Sequence, residues 1–596
     1  MNQELKDRRI NDLIALFTKG QIEQCISQGK KVLKMYPNEP FLFNILGITH
    51  AAKGLLAESL NYYEKAIDLN PSYFEVFNNM GVAYNDWKKP KEAISCLKKA
   101  IGIQPTYAEA FNNIGNSYKE LSDFDNAVIS YKKAIDLAPT YTDALCNLGI
   151  CWSLQEKYEQ AEATYKKALE IDPGNTGIYD HLINNLLERK LYTDAKEVIS
   201  NFIDKGINIA KAFNYLGLYH TATQTDDFSE AIKCFENSIN EDPNFDDPYV
   251  SLGTIFMDQR KFKKSLEYFK KALQLNKFND QANYAQVRPL IFLGELKRGW
   301  ECYEYRWKVS LEKNVKWPIE GKLLWEGKRD SAIVLWREQG IGDELIFLGL
   351  VPEAQELSKS VSVYIDKRLI PLCERSMPDV RFLSDPEQIG EQEFDYHLPM
   401  GSLPRLFRSS EEDFEKTVKG YLKADADRVE VLRQELNVGD RKIIGISWKS
   451  IKSLNQLKKS LTLMEFGKIF QDLDVVLLNL QYGEVDEEIK AFERDTGIEI
   501  IQCASVDNRE DLDGLAALIE LCDLVVSTSN VTIHLAGALG KDTWVLLPYV
   551  ANFWWLLERT DSVWYPSLTL YRQKTLKDWD SVALDLKEDL KKKFNM

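Results

Sequence analysis

Long apolar runs are missing from this sequence, and so are the cysteine and histidine spacings that hold metals. No apolar stretch reaches the roughly 18–20 residues of a membrane-spanning helix, and the first residues, MNQELKDRRI, are too charged for a secretory signal. The nine cysteines occur without a C-x-x-C pair or a zinc spacing, which suits a reducing compartment. We therefore expect a cytoplasmic protein with no membrane span and no metal site.

Positive charge is also in short supply. The chain has 91 Asp and Glu against 75 Lys and Arg, a formal net charge of −16 at pH 7. This balance argues against broad binding to nucleic acids or anionic membranes, because both attract basic surfaces. At 596 residues the chain exceeds what one hydrophobic core supports, so we expect roughly two to four domains.

The first half of the chain is a repeat array with a period of 34 residues. The recurring positions are Gly47, Gly81, Gly115 and Gly149, then Pro37, Pro71, Pro105, Pro139 and Pro173, then Ala66, Ala100, Ala134 and Ala168. Each unit contains two amphipathic helices, with small residues where helices cross and proline after the second helix. This pattern is typical of tetratricopeptide repeats, and it predicts about seven to nine of them across residues 8–310, stacked as a right-handed solenoid.

Asparagine recurs with the same period. Asn79, Asn113 and Asn147 lie two residues before their glycines and therefore share one helix face. Stacked repeats would place them as a ladder along the concave groove, where their amides would pair with the backbone of an extended polypeptide. The alternative is that they satisfy polar groups between helices. Because tetratricopeptide arrays bind protein, we expect a polypeptide partner.

Residues 524–548 have the pattern of a strand, a polar loop, a helix and a further strand. The apolar runs Leu524–Val526 and Trp544–Leu547 predict buried strands, and Thr532–Leu539 predicts a helix of small residues. This is a βαβ unit of an open parallel sheet, in which ligands sit at the carboxyl ends of the strands. The positive end of the helix favours an anion such as phosphate, and the alternative is simple packing.

A second loop of this kind lies upstream. The predicted strand Ala332–Trp336 leads to Gly340-Ile341-Gly342-Asp343 and then to an apolar helix. The glycines let backbone approach a ligand, but no Gly-Lys-Ser/Thr follows, so this is not a Walker loop. Asp343 either caps the helix or, in a cleft, removes a proton from a hydroxyl nucleophile. The later runs VSVYI, VRFL, YHL, IIGISW, VVLLNLQ and EIIQC predict two open sheets with a ligand cleft between them.

Candidate ligand contacts follow the strands of the second sheet. Trp448 and Lys449 end one strand and Lys459 lies close behind. Lysines there meet the need of a bound diphosphate for cationic partners, although each is alternatively a solvated surface charge. Gln481 and Tyr482 end the next strand and would hold a base or ribose.

The order of the motifs resembles a known family. REQGIGDELIF, GISWKS, LKKSLTL, LNLQYGE, CDLVVSTSNVTIHLAGALGKDTWVLLP and DSVWYPSLTLYRQ stand in the order seen in tetratricopeptide-repeat glycosyltransferases. Their catalytic half is similar to bacterial heptosyltransferases, and GWECYEYRW with LLWEG resembles their junction. The resemblance covers nearly the whole chain. It implies an α plus α/β architecture: an N-terminal tetratricopeptide-repeat α-solenoid, then a GT-B-like pair of Rossmann-type α/β lobes that transfers sugar with inversion and without a metal.

The same resemblance implies roles for individual residues. Asp343 matches the base, with Glu344 as its substitute, and Lys449 or Lys459 matches the basic phosphate contact. Asn530, His534, Leu535 and Ala536 match the phosphate-binding turn; His534 either donates to a phosphate or buttresses the loop. The full predicted donor-binding set is Gly340, Gly342, Trp448, Lys449, Lys459, Gln481, Tyr482, Ser529, Asn530, His534, Leu535 and Ala536.

One departure from the family bears on the donor. Ser529-Asn530 stands where heptosyltransferases usually have Asp-Ser/Thr, which removes a carboxylate from the donor side. Some repeat-bearing relatives attach nonulosonic acids from CMP donors to flagellin, whereas O-GlcNAc transferases use UDP-GlcNAc. A CMP-linked sugar acid has one phosphate and its own carboxylate, so the loss of an acid is compatible with it. We rank a nonulosonic acid above an N-acetylhexosamine.

The prediction is a protein O-glycosyltransferase in four segments. Residues 1–285 form the repeat solenoid that binds the acceptor polypeptide, 286–330 an aromatic junction, 331–435 the lobe with the base, and 436–596 the lobe that binds the nucleotide sugar. No cofactor is expected beyond that substrate. The alternatives are a non-catalytic repeat scaffold with a vestigial nucleotide-binding module, and a sugar-polymer transferase, which leaves the peptide-type groove unexplained.

Three Asp-x-Asp motifs bear on the metal question. They stand at 425–427, 511–513 and 578–580 and resemble the metal-binding motif of the other glycosyltransferase fold. Their settings are charged or helical segments, where carboxylates are usually solvated. We expect no metal at any of them.

Overall fold

The computed structural model describes residues 2–224, 227–309, 319, 322–390, 393–450 and 461–596. The chain separates into two compact units, Met1–Pro243 and Asn244–Met596. Helices are the regular secondary structure of the described part of the first unit, and the second unit begins with further repeat helices and continues into two parallel sheets. Within the described part of the chain, every helix is too short or too polar to cross a bilayer.

Sixteen helices within residues 2–224 and 227–275 form eight consecutive pairs, which confirms the predicted helical solenoid. The helices are α1 Asn2–Thr18, α2 Ile22–Met35, α3 Pro40–Ala52, α4 Leu56–Leu69, α5 Phe74–Asp86, α6 Pro90–Ile103, α7 Ala108–Glu120, α8 Phe124–Leu137, α9 Thr142–Leu154, α10 Tyr158–Ile171, α11 Thr176–Glu188, α12 Tyr192–Asp204, α13 Ile209–Thr223, α14 Ser229–Glu241, α15 Asp247–Asp258 and α16 Phe262–Leu275.

Close contact between the two helices of a pair explains the periodic glycines. A Cβ added at Gly115 in α7 would lie 2.5 Å from Cε1 of Tyr131 in α8, and one at Gly47 would lie 2.3 Å from Cε1 of Tyr63. Both distances are far below van der Waals contact, so only glycine admits the ring. Ala134, one of the periodic alanines, is fully buried. The 34-residue period of glycine and alanine therefore corresponds to the positions where paired helices are in contact.

The first sheet of the second unit follows three short helices, α17 Asp280–Ala285, α18 Val287–Phe292 and α19 Leu296–Tyr303. Its strands are β1 Leu323–Leu324, β2 Ala332–Trp336, β3 Ser360–Tyr364, β4 Arg381–Leu383 and β5 Tyr396–Pro399, and its helices are α20 Ile341–Leu348, α21 Val351–Leu357, α22 Ile370–Ser376, α23 Glu387–Gly390 and α24 Leu403–Phe407. All neighbouring strands are parallel, in the order β1-β5-β2-β3-β4.

The second sheet has six parallel strands in the order β11-β10-β9-β6-β7-β8. The strands are β6 Ile443–Ser447, β7 Val476–Asn479, β8 Ile500–Ile501, β9 Leu524–Thr528, β10 Thr543–Leu547 and β11 Leu568–Arg572. The accompanying helices are α25 Ala426–Leu436, α26 Leu463–Gly467, α27 Asp486–Thr496, α28 Leu512–Leu521, α29 Val531–Ala538 and α30 Trp579–Phe594. The predicted open parallel sheets are thus confirmed.

The chain crosses between the sheets at Tyr421 and Leu422, whose backbone N–H groups donate to the carbonyl oxygen of Ala538 at 2.8 and 2.9 Å. Helix α25, Ala426–Leu436, lies at the predicted boundary between the two lobes. Helix α25 packs on α28, and Arg428 forms an ion pair with Asp511. This helix therefore belongs structurally to the second sheet.

Candidate functional site

Both sheets reverse their strand order at one point. In the first sheet, β3 and β4 extend to one side of β2, and β5 and β1 to the other. In the second, β7 and β8 lie on one side of β6, and β9, β10 and β11 on the other. Ligands of open parallel sheets bind at the carboxyl ends of the strands flanking such a switch point. The loops singled out from the sequence follow β2, β6 and β9, which are switch-point strands.

Two helix N-termini, one from each sheet, meet at this place. Helix α20 begins after Gly340, and Asp343 lies in its first turn, with its N–H donating to the Gly340 carbonyl oxygen at 2.9 Å. A Cβ placed on Gly342 would lie 3.1 Å from His534 Cδ2 and 3.6 Å from Val531 Cγ2 of α29. Glycine at 342 therefore permits the close approach of the two loops, and Gly340 rather than Asp343 occupies the capping position of α20.

A buried network holds the segment that precedes Gly340. Arg306 donates from Nε and Nη2 to the two carboxylate oxygens of Glu338, at 2.6 and 2.9 Å. The backbone N–H of Gly401 donates to the same carboxylate at 2.7 Å. Gln339 Nε2 donates to the hydroxyl of Tyr303 at 2.6 Å. The aromatic segment GWECYEYRW therefore positions the loop that carries Gly340, Gly342 and Asp343, and its role is structural.

The two neighbouring acids, Asp343 and Glu344, differ in environment. Glu344 is buried, lies 2.8 Å from Arg337 Nη2, and accepts the backbone N–H of Asp366 at 2.9 Å. Burial raises the pKa of Glu344 to about 7, and Arg337 opposes that shift. Asp343 is only half-buried. Burial raises the pKa of Tyr565, and the negative charge of the Asp343 carboxylate raises it further. Glu344 is thus committed to the first sheet, and Asp343 lies near the second.

Asn530 joins the loops after β6 and β9. Its side-chain oxygen accepts the N–H of Thr532 at 3.0 Å, which makes it the N-cap of α29. Its Nδ2 donates to Ser447 Oγ at 2.7 Å and to the carbonyl oxygen of Lys449 at 3.3 Å. Gln481 Oε1 accepts from Ser447 Oγ and from the N–H groups of Trp448 and Lys449, all at 3.0 Å. The buried Asn530 and Gln481 therefore shape the loops.

His534 lies within an aromatic enclosure. Its Nδ1 is 3.3 Å from the hydroxyl of Tyr565, and its ring stacks on Trp555 at a centroid distance of 5.4 Å. The indole Nε1 of Trp555 donates to Ser529 Oγ at 3.0 Å. Burial lowers the pKa of His534 to about 3. The imidazole is therefore neutral at physiological pH, and any contact with an anion would use a neutral N–H.

Lys449 is engaged in an ion pair with the Glu488 carboxylate of α27, and both side chains are 31% exposed. Trp448, which is fully buried, donates from Nε1 to the same carboxylate at 3.1 Å. Lys449 would have to exchange this partner to bind a phosphate. Tyr482 is half-buried, and the predicted contact Lys459 lies outside the described residues.

Leu535 and Ala536, which the resemblance implied as donor contacts, contribute no exposed surface, since both are fully buried in α29. Their side chains pack in the core beneath the loop. A ligand at the start of α29 would therefore contact the turn through residues 529–534, with Leu535 and Ala536 holding the helix in place.

Each asparagine of the predicted ladder is hydrogen-bonded to an asparagine of the preceding repeat, in three separate amide pairs. Asn79 Nδ2 donates to Asn44 Oδ1 at 2.9 Å, and the same bond joins Asn113 to Asn78 at 2.9 Å and Asn147 to Asn112 at 3.0 Å. The donors are half-buried and the acceptors buried. One amide N–H of Asn79, Asn113 and Asn147 is therefore used in a hydrogen bond to the neighbouring repeat. This agrees with the alternative that these residues satisfy polar groups between helices. The peptide-binding role stays a prediction.

The Asp-x-Asp motifs have a structural use. Asp425, Asp511 and Asp578 are the N-caps of α25, α28 and α30, with side chains accepting from Arg428 N, Gly514 N and Ser581 N. Capping by aspartate satisfies N–H groups that a helix leaves unpaired. Among the described residues, His, Cys, Asp and Glu side chains form no group of three that would hold a metal ion.

Sequence reasoning did not predict the contacts of several residues in this region. Trp555 and Tyr565 surround His534, and Glu338 anchors the glycine loop. The aromatic run Phe553-Trp554-Trp555 is a local feature of the sequence, but its partners are distant in the chain. A carboxylate two residues before Gly340 was visible, but its buried arginine was not.

Comparisons with known proteins identify the repeats. Tetratricopeptide-repeat profiles match residues 108–141, 142–175, 74–107 and 247–279, and a related repeat profile matches 47–86. Protein FlbA of Caulobacter vibrioides is 28% identical over 418 residues, which is 66% of this chain and 69% of that protein.

Solved structures match over shorter stretches. A crystal structure of MamA is 28% identical and covers 27% of this chain and 93% of its own, with a TM-score of 0.25. A tetratricopeptide-repeat protein from Parabacteroides merdae is 17% identical and covers 40% of this chain and 94% of its own, with a TM-score of 0.34. The profile matches and the helix pairs together show that the N-terminal region consists of tetratricopeptide repeats.

Proposed function

We propose that this protein is a metal-independent, inverting O-glycosyltransferase of the GT-B type. It transfers a sugar from a nucleotide donor to a Ser or Thr hydroxyl of a polypeptide such as flagellin, which the repeats bind. The observation that carries the proposal is the meeting of the switch-point loops of two parallel sheets, with Gly342 against His534 and Asp343 close by. Such a meeting point is where a two-sheet enzyme would join donor and acceptor.

The residues take complementary roles in the proposed reaction. The carboxylate of Asp343 accepts the proton of the acceptor hydroxyl as its oxygen attacks the anomeric carbon. The bond from that carbon to the donor phosphate breaks, and its electron pair leaves on the phosphate oxygen. The positive end of α29 stabilises this charge, with Asn530 shaping the turn and His534 offering a neutral N–H.

A nonulosonic acid is the favoured sugar, with an N-acetylhexosamine next. Ser529, Asn530 and His534 carry no negative charge at neutral pH. A donor with one phosphate and its own carboxylate would meet no repulsion from these residues. The donor would then be a CMP sugar and the leaving group CMP.

The first experiment is thermal stabilisation of the full chain by CMP, UDP, ADP and GDP without added metal. A ligand at 100 times its Kd raises the free energy of unfolding by about 3 kcal/mol. Stabilisation by one nucleotide would name the donor class and set up an intact-mass assay with that sugar nucleotide and candidate acceptors. If none of the four nucleotides raises the thermal stability, the proposal is wrong.

Substitution then separates chemistry from binding. Asp343→Asn should abolish transfer while leaving the nucleotide shift intact. Glu344→Gln is the matched control, because Glu344 faces Arg337 and Asp366, so transfer should persist. Transfer that survives in Asp343→Asn and disappears in Glu344→Gln would reverse the assignment of the base.

A non-catalytic scaffold with a vestigial nucleotide-binding module is the second candidate. The pairing of Lys449 with Glu488 favours it, because the predicted phosphate contact is already neutralised. If the protein is a scaffold, the repeats should bind a polypeptide and no nucleotide should raise the thermal stability. The nucleotide experiment therefore decides between the two.

A further inference from the structure

Three arginines converge on the loop that follows β10. Arg288 of α18 donates from Nη2 to the carbonyl oxygen of Ala551 at 3.4 Å. Arg572 at the end of β11 donates from Nη2 to the carbonyl oxygen of Trp555. Arg260, in the turn between α15 and α16, lies over the ring of Tyr549 with its Cζ 4.8 Å from the centroid. One loop is thus approached by guanidinium groups from the last repeat, the junction and the sheet.

The charges of these arginines are not balanced by ion pairs within the part of the chain that the structure describes. Among the described residues, the nearby Arg559 forms ion pairs with Asp561 and Glu411, whereas Arg260, Arg288 and Arg572 form none. Burial, followed by repulsion from Arg260 and Arg559, lowers the pKa of Arg572 to about 10, and Asp561 opposes that shift. Burial also lowers the pKa of Arg288, opposed by Asp258 and Tyr284. Positive charge is concentrated here without full compensation, which is unfavourable unless an anion joins it.

A buried side-chain amide in the same place has a donor without a hydrogen-bond partner. Gln573, only 3% exposed, follows Arg572 directly. Its Oε1 accepts the N–H of Tyr549 at 3.0 Å and its own N–H donates to the carbonyl oxygen of Leu547 at 3.0 Å. Its Nε2 is buried and has no hydrogen-bond partner. Buried donors are almost always satisfied, so a ligand oxygen is the expected partner.

We propose that Arg260, Arg572 and Gln573 form an oxyanion pocket at the carboxyl ends of β10 and β11 that binds a carboxylate of the substrates. Guanidinium groups match the planar geometry of a carboxylate. The choice of carboxylate over phosphate rests on the proposed function, which assigns the donor phosphate to the start of α29. Trp555 links the two places, because its ring stacks on His534 and its carbonyl oxygen binds Arg572.

Two substrates would supply such a carboxylate: an acidic sugar of the donor, or an acidic side chain of the acceptor polypeptide. Isothermal titration calorimetry on the full chain distinguishes them. One arm compares free N-acetylneuraminic acid with its methyl ester, which removes the charge and keeps the sugar. The other compares a Ser/Thr peptide carrying Glu with the same peptide carrying Gln. A preference for the charged member of at least tenfold is expected in one arm, and that arm names the source.

Substitutions test whether the preference for the charged probe depends on the proposed pocket. Arg260→Gln and Arg572→Gln should each abolish the preference for the charged probe. Lys574→Gln should keep it, since Lys574 lies two residues away on an exposed ion pair with Asp585. Arg572 also holds the loop through the carbonyl oxygens of Arg559 and Trp555, so its loss weakens the loop itself. Within the part of the chain that the structure describes, the Arg260 side chain donates to no backbone carbonyl, so Arg260→Gln is the decisive variant.

The outcomes separate this inference from the proposed function. No preference in either arm, or a preference that survives Arg260→Gln, would overturn the pocket. A preference lost in Arg260→Gln supports the pocket even if no nucleotide stabilises the protein. That last result would leave the carboxylate site standing and remove the glycosyltransferase assignment.

Discussion

Arg306 and Glu338 form a two-point ion pair in the interior of the second unit. The Nε–Oε2 and Nη2–Oε1 distances are 2.6 and 2.9 Å, and the side chains are 0% and 1% exposed. Glu338 stands two residues before Gly340, and Arg306 lies in the short 3-10 turn Glu304–Trp307 that follows α19. One charge pair therefore joins the junction helices to the loop on which the candidate site depends.

Breaking this pair should destabilise the second unit strongly. Glu338→Gln leaves the buried Arg306 with the partly exposed Glu304 as its remaining carboxylate partner, and breaking a buried pair by removing one partner costs up to about 3–5 kcal/mol. Urea denaturation followed by tryptophan fluorescence measures the loss, because Trp300, Trp325 and Trp336 are buried in this unit. The exposed pair of Lys574 and Asp585 provides the control, and Lys574→Gln should change stability by less than about 1 kcal/mol. Equal effects of the two variants would contradict the role of the pair.

Two glycines of neighbouring helices should respond to alanine in opposite directions. At Gly115, a Cβ would lie 2.5 Å from Tyr131 Cε1, and overpacking of this kind costs about 1–3 kcal/mol. At Gly102, near the end of α6, a Cβ would meet nothing within 4 Å, so alanine should stabilise the helix by up to about 1 kcal/mol. Thermal unfolding followed by circular dichroism compares them. A lower Tm for Gly102→Ala than for Gly115→Ala would refute the packing argument.

His534 should make the protein sensitive to acid. The folded pKa of about 3 lies below the ordinary value of 6.5, so between these values the unfolded chain binds a proton that the folded chain does not. Stability therefore falls as pH falls, by about 2 kcal/mol at pH 5 for this group. His534→Gln removes this pH-dependent penalty, so the free energy of unfolding of the wild type minus that of the variant should increase by about 2 kcal/mol when the pH is raised from 5 to 7.5.

An NMR titration checks the same point directly. The imidazole of His534 should show no protonation step between pH 5 and pH 8, because burial holds it neutral throughout. Nucleotide affinity should accordingly lack a step from this residue in that range. A titration of His534 near its ordinary value would show that water reaches the ring and would remove the neutral N–H from the proposed mechanism.

Glu488 should compete with the donor for Lys449. Their ion pair is partly exposed, so breaking it should change stability by less than about 1 kcal/mol. Glu488→Gln frees Lys449 and should tighten nucleotide binding several-fold, whereas Lys449→Met should weaken it. Calorimetry with the nucleotide that stabilises the protein measures both. Unchanged affinity in Lys449→Met would exclude this lysine as the phosphate contact.

Local patterns in the sequence were sufficient to locate the elements around the site. The strand Ala332–Trp336 was predicted with the bounds that the structure has, and the runs at 524–526 and 544–547 correspond to β9 and β10. The helix expected from Thr532 begins at Val531. These elements are short, apolar and bounded by glycine or polar turns, so their signal lies within a few residues.

Partners distant in the chain were not predictable in the same way. The periodic asparagines were visible, but which amide accepts from Asn79 depends on how two repeats stack. The aspartates of the Asp-x-Asp motifs read as solvated charges and are helix caps. Asp343 and Glu344 were neighbouring candidates for one role, and only their surroundings separate them, with Glu344 held by Arg337 and Asp366.

The sequence by itself determined the repeat array and the alternation of strands and helices, because hydrophobic period, glycine spacing and turn residues act over short distances. The tertiary structure decided that Gly342 meets His534, that Arg306 is buried on Glu338, and that Arg260 and Arg572 approach one loop. These contacts join residues tens to hundreds of positions apart. They follow from the order of parallel strands and the packing of helices on them, which no local pattern encodes.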